Sequence, residues 1–131
     1  AEVVSGFARL PGSDSLGAAE AGVAELERRL SEHPFDAPEA RDLEDLGLGV
    51  RELAAAEQAG RLLRLDDGVV VLPSTPARAM RVLAGLSQPF TLSQARQALG
   101  TTRRVAIPLL EHTDARGWTT RVDGNLRRVR G

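Results

Sequence analysis

The stretch from Phe90 to Arg130 constrains the fold more than any other part of the sequence. Its apolar residues recur at helical spacing in two short runs that a tight turn separates. Gly117 ends the second run, because glycine adopts the left-handed conformation that commonly closes a helix without a Cβ penalty. Two short segments of strand composition follow, and Asp123-Gly124 between them is a strong hairpin signal. The predicted order is helix, turn, helix and two-stranded hairpin.

That order is the order of a winged helix, in which the hairpin forms the wing. The residues in front of it repeat the pattern, because Pro34-Phe35 and Ala40-Arg41 lie 55 positions before Pro89-Phe90 and Ala95-Arg96. Other matched pairs lie 53 to 57 positions apart, which predicts a longer inter-helix turn in the second copy, over Thr101–Arg104. The predicted fold class is mainly α with small β wings, arranged as two tandem winged-helix domains.

Proline and glycine signals predict the domain boundaries. Residues 1–16 are expected to be the remnant of a preceding module or a linker, residues 17–74 an acidic winged-helix domain, and residues 75–131 a basic one. Thr75 should cap the first helix of the second domain, with Pro76 at its first position. Two domains of about 55 residues are near the lower limit for burying an adequate core, so we expect them to pack on each other or on a neighbour.

Helical periodicity and turn signals predict the elements of the first domain. Pro38 is expected at the first position of a helix, and Val50 is expected to face inward with Leu53. The expected helices are Gly17–Ser31, Pro38–Leu46 and Gly49–Ala59, and the expected strands are Arg61–Leu65 and Val69–Leu72.

The second domain should begin with a helix at Thr75–Ser87. Thr91 or Ser93 should cap the helix that follows. Pro108 interrupts an otherwise good helical pattern, because proline in a helix interior removes a backbone hydrogen bond. The regular part of the last helix is therefore expected to start near Val105 or the residue after it.

The charges are divided unevenly along the chain. Residues 1–75 carry 15 acidic residues and 7 arginines, a formal balance of −8, whereas residues 76–131 carry 3 acidic residues and 10 arginines, a balance of +7. This division points to a polyanionic partner for the basic part, with the acidic part turned away from it.

Arg103 and Arg104 are the best candidates for binding such a partner. They lie beside the start of a helix, where unpaired backbone N–H groups already favour an anion, and guanidinium groups there bind phosphates in bidentate fashion. The alternative is a solvated basic face, or pairing with Glu111 and Asp114. Other arginines that extend the same surface are Arg96 in the preceding helix and Arg121, Arg127, Arg128 and Arg130 on the wing.

Several other classes of site are disfavoured. Without cysteine, disulfides and thiolate metal sites are excluded, and a reducing cytoplasm is the expected compartment. No apolar run is long enough to predict a membrane span. His112 beside Glu111 and Asp114 has no accompanying nucleophile, and no Gly-rich phosphate loop exists, so neither a cofactor nor enzymatic activity is expected. Trp118 is expected in the core, and four aromatic residues are too few for base stacking to be the main binding mode.

One string in this stretch is specific enough to suggest a family. It runs from Thr102 to Glu111 and reads TRRVAIPLLE. It resembles the C-terminal winged-helix region of the bacterial selenocysteine-specific elongation factor, SelB, and Arg41-Asp42-Leu43, Val50-Arg51 and Gly60 resemble the preceding winged helix. Further matching positions are Phe90, Ala95-Arg96, Leu99-Gly100-Thr101, Asp114, Gly117, Thr120-Arg121, Gly124 and Arg127.

The resemblance implies a function. In that family the last winged helix binds the apical loop of an mRNA hairpin, the selenocysteine insertion element, and so positions the factor at an in-frame UGA codon. GTP and selenocysteyl-tRNA would be bound by N-terminal domains outside this sequence, and the ribosome is a further possible partner. Arg104 stands where the family commonly has lysine, and Thr113 where an apolar residue is usual. The RNA-binding residues that the resemblance implies are Arg96, Thr102, Arg103, Arg104, Arg121 and Arg127.

Two other functions stay open at this point. A DNA-binding regulator would place the last helix in the major groove, although Ile107–Leu110 offers few base-reading side chains. A protein-interaction module would use the acidic first domain instead. The fold alone does not decide among these functions.

Overall fold

A computed structural model describes residue 17 and residues 19–130. The predicted remnant at residues 1–16 lies outside the described residues. We call residues 17–74 the first unit and residues 75–131 the second unit, and the boundary between them stays a prediction. The first unit contains α1 (Glu20–Glu32), α2 (Ala40–Asp45), α3 (Val50–Gln58), β1 (Leu63–Arg64), a 3-10 turn (Asp66–Gly68) and β2 (Val70–Val71). The second unit contains α4 (Thr75–Ala84), β3 (Phe90–Thr91), α5 (Leu92–Leu99), α6 (Arg103–Ala115), β4 (Thr119–Asp123) and β5 (Leu126–Val129).

Each unit has three helices followed by an antiparallel hairpin, so the predicted class, mainly α with small β wings, is confirmed. The division into two tandem domains stays a prediction. In the first unit, the apolar stripe of α1 packs on α2, α3 and the hairpin, and Val23 and Leu30 are fully buried. Gly22 lies against the backbone of Leu46, where a Cβ would collide with the carbonyl oxygen. This close approach seats α1 on the turn between α2 and α3.

The wing of the second unit belongs to a three-stranded antiparallel sheet with the order β3-β5-β4. The short strand β3 was not predicted from the sequence, because two residues carry no alternation to detect. Its Phe90 pairs with Arg127 of β5 and is buried, so the wing is joined to the helical core. Gln88 strengthens this junction, since its side chain accepts from the Val129 N–H at 2.8 Å and donates to the Leu83 carbonyl at 2.9 Å.

The prediction that the last helix starts near Val105 was wrong. Helix α6 begins at Arg103 and continues through Pro108 to Ala115. Proline at the sixth helical position removes one backbone hydrogen bond, and the burial of Leu109 and Leu110 compensates for that loss. Arg103 and Arg104 therefore belong to the first turn of the helix.

The predicted longer turn in the second copy was also wrong. Three residues separate α5 from α6, whereas four residues separate α2 from α3. The additional length lies in the last helix instead, because α6 has 13 residues and α3 has 9. The second unit thus carries a longer helix behind a short turn, in which Gly100 adopts the left-handed conformation.

Three local predictions for the helices need correction. Pro38 precedes the N-cap Glu39 of α2 and is buried outside the helix. Val50 is 80% exposed, because the inward face of α3 is formed by Leu53 and Ala56. Ser74 occupies the N-cap position of α4, and Thr75 instead lies in the first turn, where its hydroxyl accepts from the Leu72 N–H. The remaining helix ends differ from the predicted ends by one to three residues, as fraying ends commonly do.

The cap of α5 was predicted correctly. The Thr91 hydroxyl accepts a hydrogen bond from the Gln94 N–H at 3.0 Å, and the Gln94 side chain accepts from the Thr91 N–H at 2.8 Å. This reciprocal arrangement is a capping box, which satisfies two backbone donors at the start of the helix.

The two units pack on each other, as their small size predicted. One core cluster joins Leu65, Val69 and Val71 of the first unit to buried residues of α4, α5 and α6. Polar contacts also cross the boundary, because the Thr101 hydroxyl donates to the Phe35 carbonyl at 2.7 Å and the Arg104 guanidinium donates to the Ala37 carbonyl at 2.8 Å. Arg104 thus fastens the start of α6 to the segment between α1 and α2.

Replacing Arg104 with methionine should lower the free energy of unfolding by about 1 kcal/mol, because a charged donor to buried carbonyls is lost while the aliphatic stem is kept. The side chain of the neighbouring Arg103 forms no hydrogen bond or ion pair in the described part of the chain, so Arg103→Met is a matched control. Urea unfolding of both variants measures the difference. Equal stability of the two variants would show that Arg104 does not fasten the units.

Candidate nucleic-acid interface

The two units differ in how their arginines are paired. In the first unit Arg28, Arg29, Arg61 and Arg64 all form salt bridges with glutamates. In the second unit only Arg127 of the ten arginines has a carboxylate within salt-bridge distance among the described residues. The uneven charge of the sequence is therefore a real excess of unneutralised cations on one unit.

The pairing in the first unit is tight enough to change acid strengths. Hydrogen bonds from Arg28 and Arg29 lower the pKa of Glu25 to about 2. Arg61 bridges to Glu27 at 2.6 Å and also to Glu20, which raises the pKa of the guanidinium further above its already high value. These arginines have local partners and are not available to a polyanion.

The unpaired arginines of the second unit include two that line one cleft. Arg96 of α5, Arg103 of α6 and Asn125 of the wing loop line a cavity of about 470 Å³. Thr91, Leu92 and Ser93 complete the lining. We call this the wing-tip cleft. No carboxylate lines it, so its electrostatic potential is set by the two guanidinium groups.

The first turn of α6 adds backbone donors beside this cleft. Thr102 is the N-cap residue, but its side chain forms no capping hydrogen bond. The Val105 and Ala106 N–H groups bond to the Thr102 carbonyl, whereas those of Arg103 and Arg104 have no backbone partner among the described residues. An exposed helix start with open N–H groups and a guanidinium beside it is suited to hold a phosphate.

Arg127 lies in a different environment from the one expected. Its residue exposure is 4%, and its Nε donates to both carboxylate oxygens of Asp114, at 3.0 and 3.2 Å. The Thr119 hydroxyl also donates to Asp114, at 2.6 Å. This pair links the wing to the end of α6, so its charge is satisfied internally. The guanidinium of Arg127 therefore does not form part of the accessible basic surface.

The unusual Thr113 belongs to the same network. It is fully buried, and its hydroxyl lies 2.8 Å from the Thr119 hydroxyl and 2.9 Å from the Leu110 carbonyl oxygen. A threonine is accommodated where the resemblance implied an apolar residue, because its hydroxyl can donate to either of these two oxygens. Among the described residues, no buried side-chain donor or acceptor lacks a partner.

The other predicted binding residues are distributed around this arrangement. Thr102 and Arg103 are exposed at the start of α6, and Arg96 is half-buried in α5. Arg104 is exposed as a residue, but its guanidinium donates to a carbonyl of the first unit. Arg121 is exposed on β4 directly opposite Arg127, but it does not line the wing-tip cleft. The structure thus brings Arg96 and Arg103 together and assigns internal contacts to Arg104 and Arg127.

Two features of the site were missed from the sequence. Asn125 reaches the cleft because the hairpin loop is Gly124-Asn125, one residue later than the predicted Asp123-Gly124. Trp118 is only half-buried and precedes β4, and the Arg116 guanidinium lies over its ring at 4.9 Å from the centroid. The prediction that Trp118 belongs to the core therefore holds only in part, because the inward residue at that end of the strand is Thr119.

The cluster around His112 does not form a catalytic arrangement. Asp114 is occupied by Arg127 and Thr119, so it is not available to orient the imidazole. Burial and the nearby Arg116 lower the pKa of His112, which favours the neutral ring. Within residues 19–130, no group of three or more potential metal ligands occurs. No helix of the described part is long and apolar enough to cross a membrane.

The order of helices followed by a hairpin wing places the second unit in the winged-helix class of folds. Residues 81–129 match the family described as "Elongation factor SelB, winged helix". The match covers 49 of the 131 residues and lies within the second unit. No curated protein matches the chain by sequence.

Two solved structures are similar to this chain in fold. A crystal structure of the bacterial selenocysteine-specific elongation factor EF-Sec matches with 26% identity and a TM-score of 0.67, over 88% of this chain. The chain spans 19% of that protein's length. The mRNA-binding domain of SelB from E. coli, solved in complex with SECIS RNA, matches with 20% identity and a TM-score of 0.65, over 92% of this chain and 97% of that one. At that identity the second match shows the fold.

Proposed function

We propose that this chain is an RNA-binding region of a selenocysteine-specific elongation factor, and that its second unit binds the mRNA hairpin of the selenocysteine insertion element. The observation that carries the proposal is the wing-tip cleft, where Arg96 and Arg103 meet without a carboxylate partner at the start of a long helix. The related E. coli domain was solved with a SECIS RNA, which supports the same class of partner.

In this proposal the residues have separate roles. Arg103, together with the open N–H groups of its helix turn, binds a phosphate, and Arg96 binds a neighbouring one. Thr102 is exposed beside them and adds a hydroxyl donor. Arg121 extends the cationic surface along β4. Arg104 and Arg127 have structural roles. Arg104 holds α6 on the first unit, and Arg127 holds the wing on α6.

The exposed surface of α6 favours RNA binding over the alternative function, in which a DNA-binding regulator places this helix in the major groove. Its middle section faces the core, since Pro108, Leu109 and Leu110 are buried. The exposed residues of α6 are Arg103, Arg104, Glu111 and Ala115. A helix that reads the major groove needs several polar side chains along its outer face. A cleft beside a projecting loop suits instead the phosphates and splayed bases of an RNA hairpin loop.

The protein-interaction alternative would use the first unit, whose exposed Val50 begins the helix equivalent to α6. One exposed valine is not a contiguous apolar patch, and the unit's basic residues are mostly paired. GTP and selenocysteyl-tRNA binding, which a complete elongation factor would require, are not proposed for the residues of this chain. We propose no enzymatic activity for the chain itself.

Replacing Arg103 with alanine tests the role of the cleft. We expect the affinity for an RNA hairpin to fall about tenfold, because one charge-assisted phosphate contact is lost. Arg81→Ala is the matched control, because Arg81 is exposed on α4 and forms no salt bridge in the described part of the chain. Fluorescence anisotropy with a labelled hairpin measures both. If the two variants bind equally well, Arg103 is not part of the site.

A further inference from the structure

A second group of unpaired arginines lies at the base of the wing. Arg116, Arg128 and Arg130 line an open groove of about 700 Å³, together with Gly117, Thr120 and Val129. All three arginines are exposed, and none forms a salt bridge among the described residues. We call this the wing-base groove.

The groove is separate from the wing-tip cleft, because the two share no lining residue. Val129 lines the groove, and Leu126 lies beside the loop residue Asn125 that lines the cleft. Val129 lies three positions after Leu126 along β5, a distance of about 10 Å. One phosphate cannot contact both sites, whereas a nucleic acid can.

The groove is held in shape by contacts that leave the guanidinium N–H donors open. The Arg116 guanidinium rests on the Trp118 ring, a cation–π contact that restricts the side chain while leaving its donors open. The Arg130 N–H donates to the Trp118 carbonyl at 3.0 Å, which fixes the end of β5 beside the start of β4. Arg128 stands on the face of β5 opposite to the buried Arg127.

No acidic side chain neutralises this cluster. Asp114, the nearest carboxylate in sequence, is taken by Arg127 on the other face of the sheet. Glu111 and Asp123, the remaining acidic residues of the second unit, do not line the groove. Three like charges brought together without a counter-charge repel each other, and a polyanion relieves this repulsion.

We propose that the wing-base groove is a second RNA-phosphate site, which Arg116, Arg128 and Arg130 form independently of base sequence. The inference takes RNA as the ligand from the proposed function. The phosphates come either from the stem of the hairpin whose loop occupies the wing-tip cleft or from a separate RNA duplex. Guanidinium groups, the Thr120 hydroxyl and the open shape suit the phosphates of an RNA backbone, which carry no sequence information.

The test uses the double variant Arg128→Gln/Arg130→Gln, with Arg78→Gln/Arg81→Gln as the matched control on α4. Three probes are compared: a hairpin with a full stem, a hairpin with its stem cut to a few base pairs, and a separate RNA duplex added to the complex with the short hairpin. We expect the groove variant, and not the control, to lose about tenfold affinity for one of the two stem-bearing probes and to show a log–log salt slope smaller by about 1 to 2.

The probe that is affected identifies the source of the phosphates. Loss only on the long hairpin assigns the groove to the stem of the same RNA, and loss on the added duplex assigns it to a second RNA. Equal affinities of wild type and groove variant for all three probes would overturn the proposal. Arg103→Ala is measured on the short hairpin, which contacts only the wing-tip cleft. An unchanged affinity in that variant would contradict the proposed function, whereas an unchanged affinity in the groove variant contradicts only the second site.

The single tryptophan supplies an independent readout. Trp118 lies under Arg116, so occupation of the groove should change its fluorescence, after correction for RNA absorbance with a free tryptophan derivative. We expect a saturable change in the wild type and none in the groove variant. An identical change in both would contradict the assignment. Circular dichroism of each variant confirms that the fold is kept.

Discussion

The double variant Arg96→Gln/Arg103→Gln should bind the RNA hairpin at least about 100-fold more weakly than the wild type, since two charge-assisted phosphate contacts of about 1.4 kcal/mol each are removed. The two guanidinium groups share the wing-tip cleft and no carboxylate competes for them. Glutamine keeps polar atoms on both helices, so the change in stability should stay small.

Anisotropy titrations at fixed salt measure this effect, and the control is Arg78→Gln/Arg81→Gln on α4. The salt dependence gives a second measure, because the slope should become shallower when two phosphate contacts are lost. A double variant that binds with wild-type affinity would exclude the cleft as the RNA site. A variant that loses affinity and also unfolds at lower temperature would show a structural role instead.

Replacing Arg127 with methionine should lower the free energy of unfolding by about 3 kcal/mol, because removing one partner leaves a largely buried carboxylate without its counter-charge. Asp114 keeps the Thr119 hydroxyl as a donor, and its side chain is 24% exposed. The loss of stability should therefore lie at the lower end of the range that is typical when one partner of a buried ion pair is removed. Thermal and urea unfolding measure the loss.

The companion variant Asp114→Asn/Arg127→Met separates the pair from the packing. Removing both charges should restore part of the lost stability, since no unpaired charge remains. Arg128→Met is the control on the opposite face of the same strand, and it should be nearly neutral. If Arg127→Met is as stable as this control, the pair does not hold the wing on α6.

The sequence was sufficient for the order of the helices and of the two hairpins, since periodicity, capping residues and turn signals are local features. It did not reveal the two-residue strand β3. Thr91 capped α5 as expected, because a capping box depends on two residues three positions apart. Pro108 misled the prediction of α6, since its cost is local whereas the burial of Leu109 and Leu110 that outweighs it depends on the other helices.

The roles of individual arginines could not be predicted in the same way. Arg127 pairs with Asp114 13 positions earlier, and Arg104 donates to carbonyls 66 and 67 positions earlier. Such contacts depend on how the elements pack, and no spacing in the sequence reveals them. The strand β3 brought the wing onto the core, and thereby decided which face of β5 is internal.

The most direct measurement of the central claim is a salt titration of binding to a short RNA hairpin beside a duplex DNA of equal charge. If about four phosphates are contacted, the log–log slope for the hairpin should be near −3, and the DNA should bind at least about tenfold more weakly. Equal binding to both would mean a general basic surface, and no binding to the hairpin would contradict the assignment of the second unit as an RNA-hairpin site.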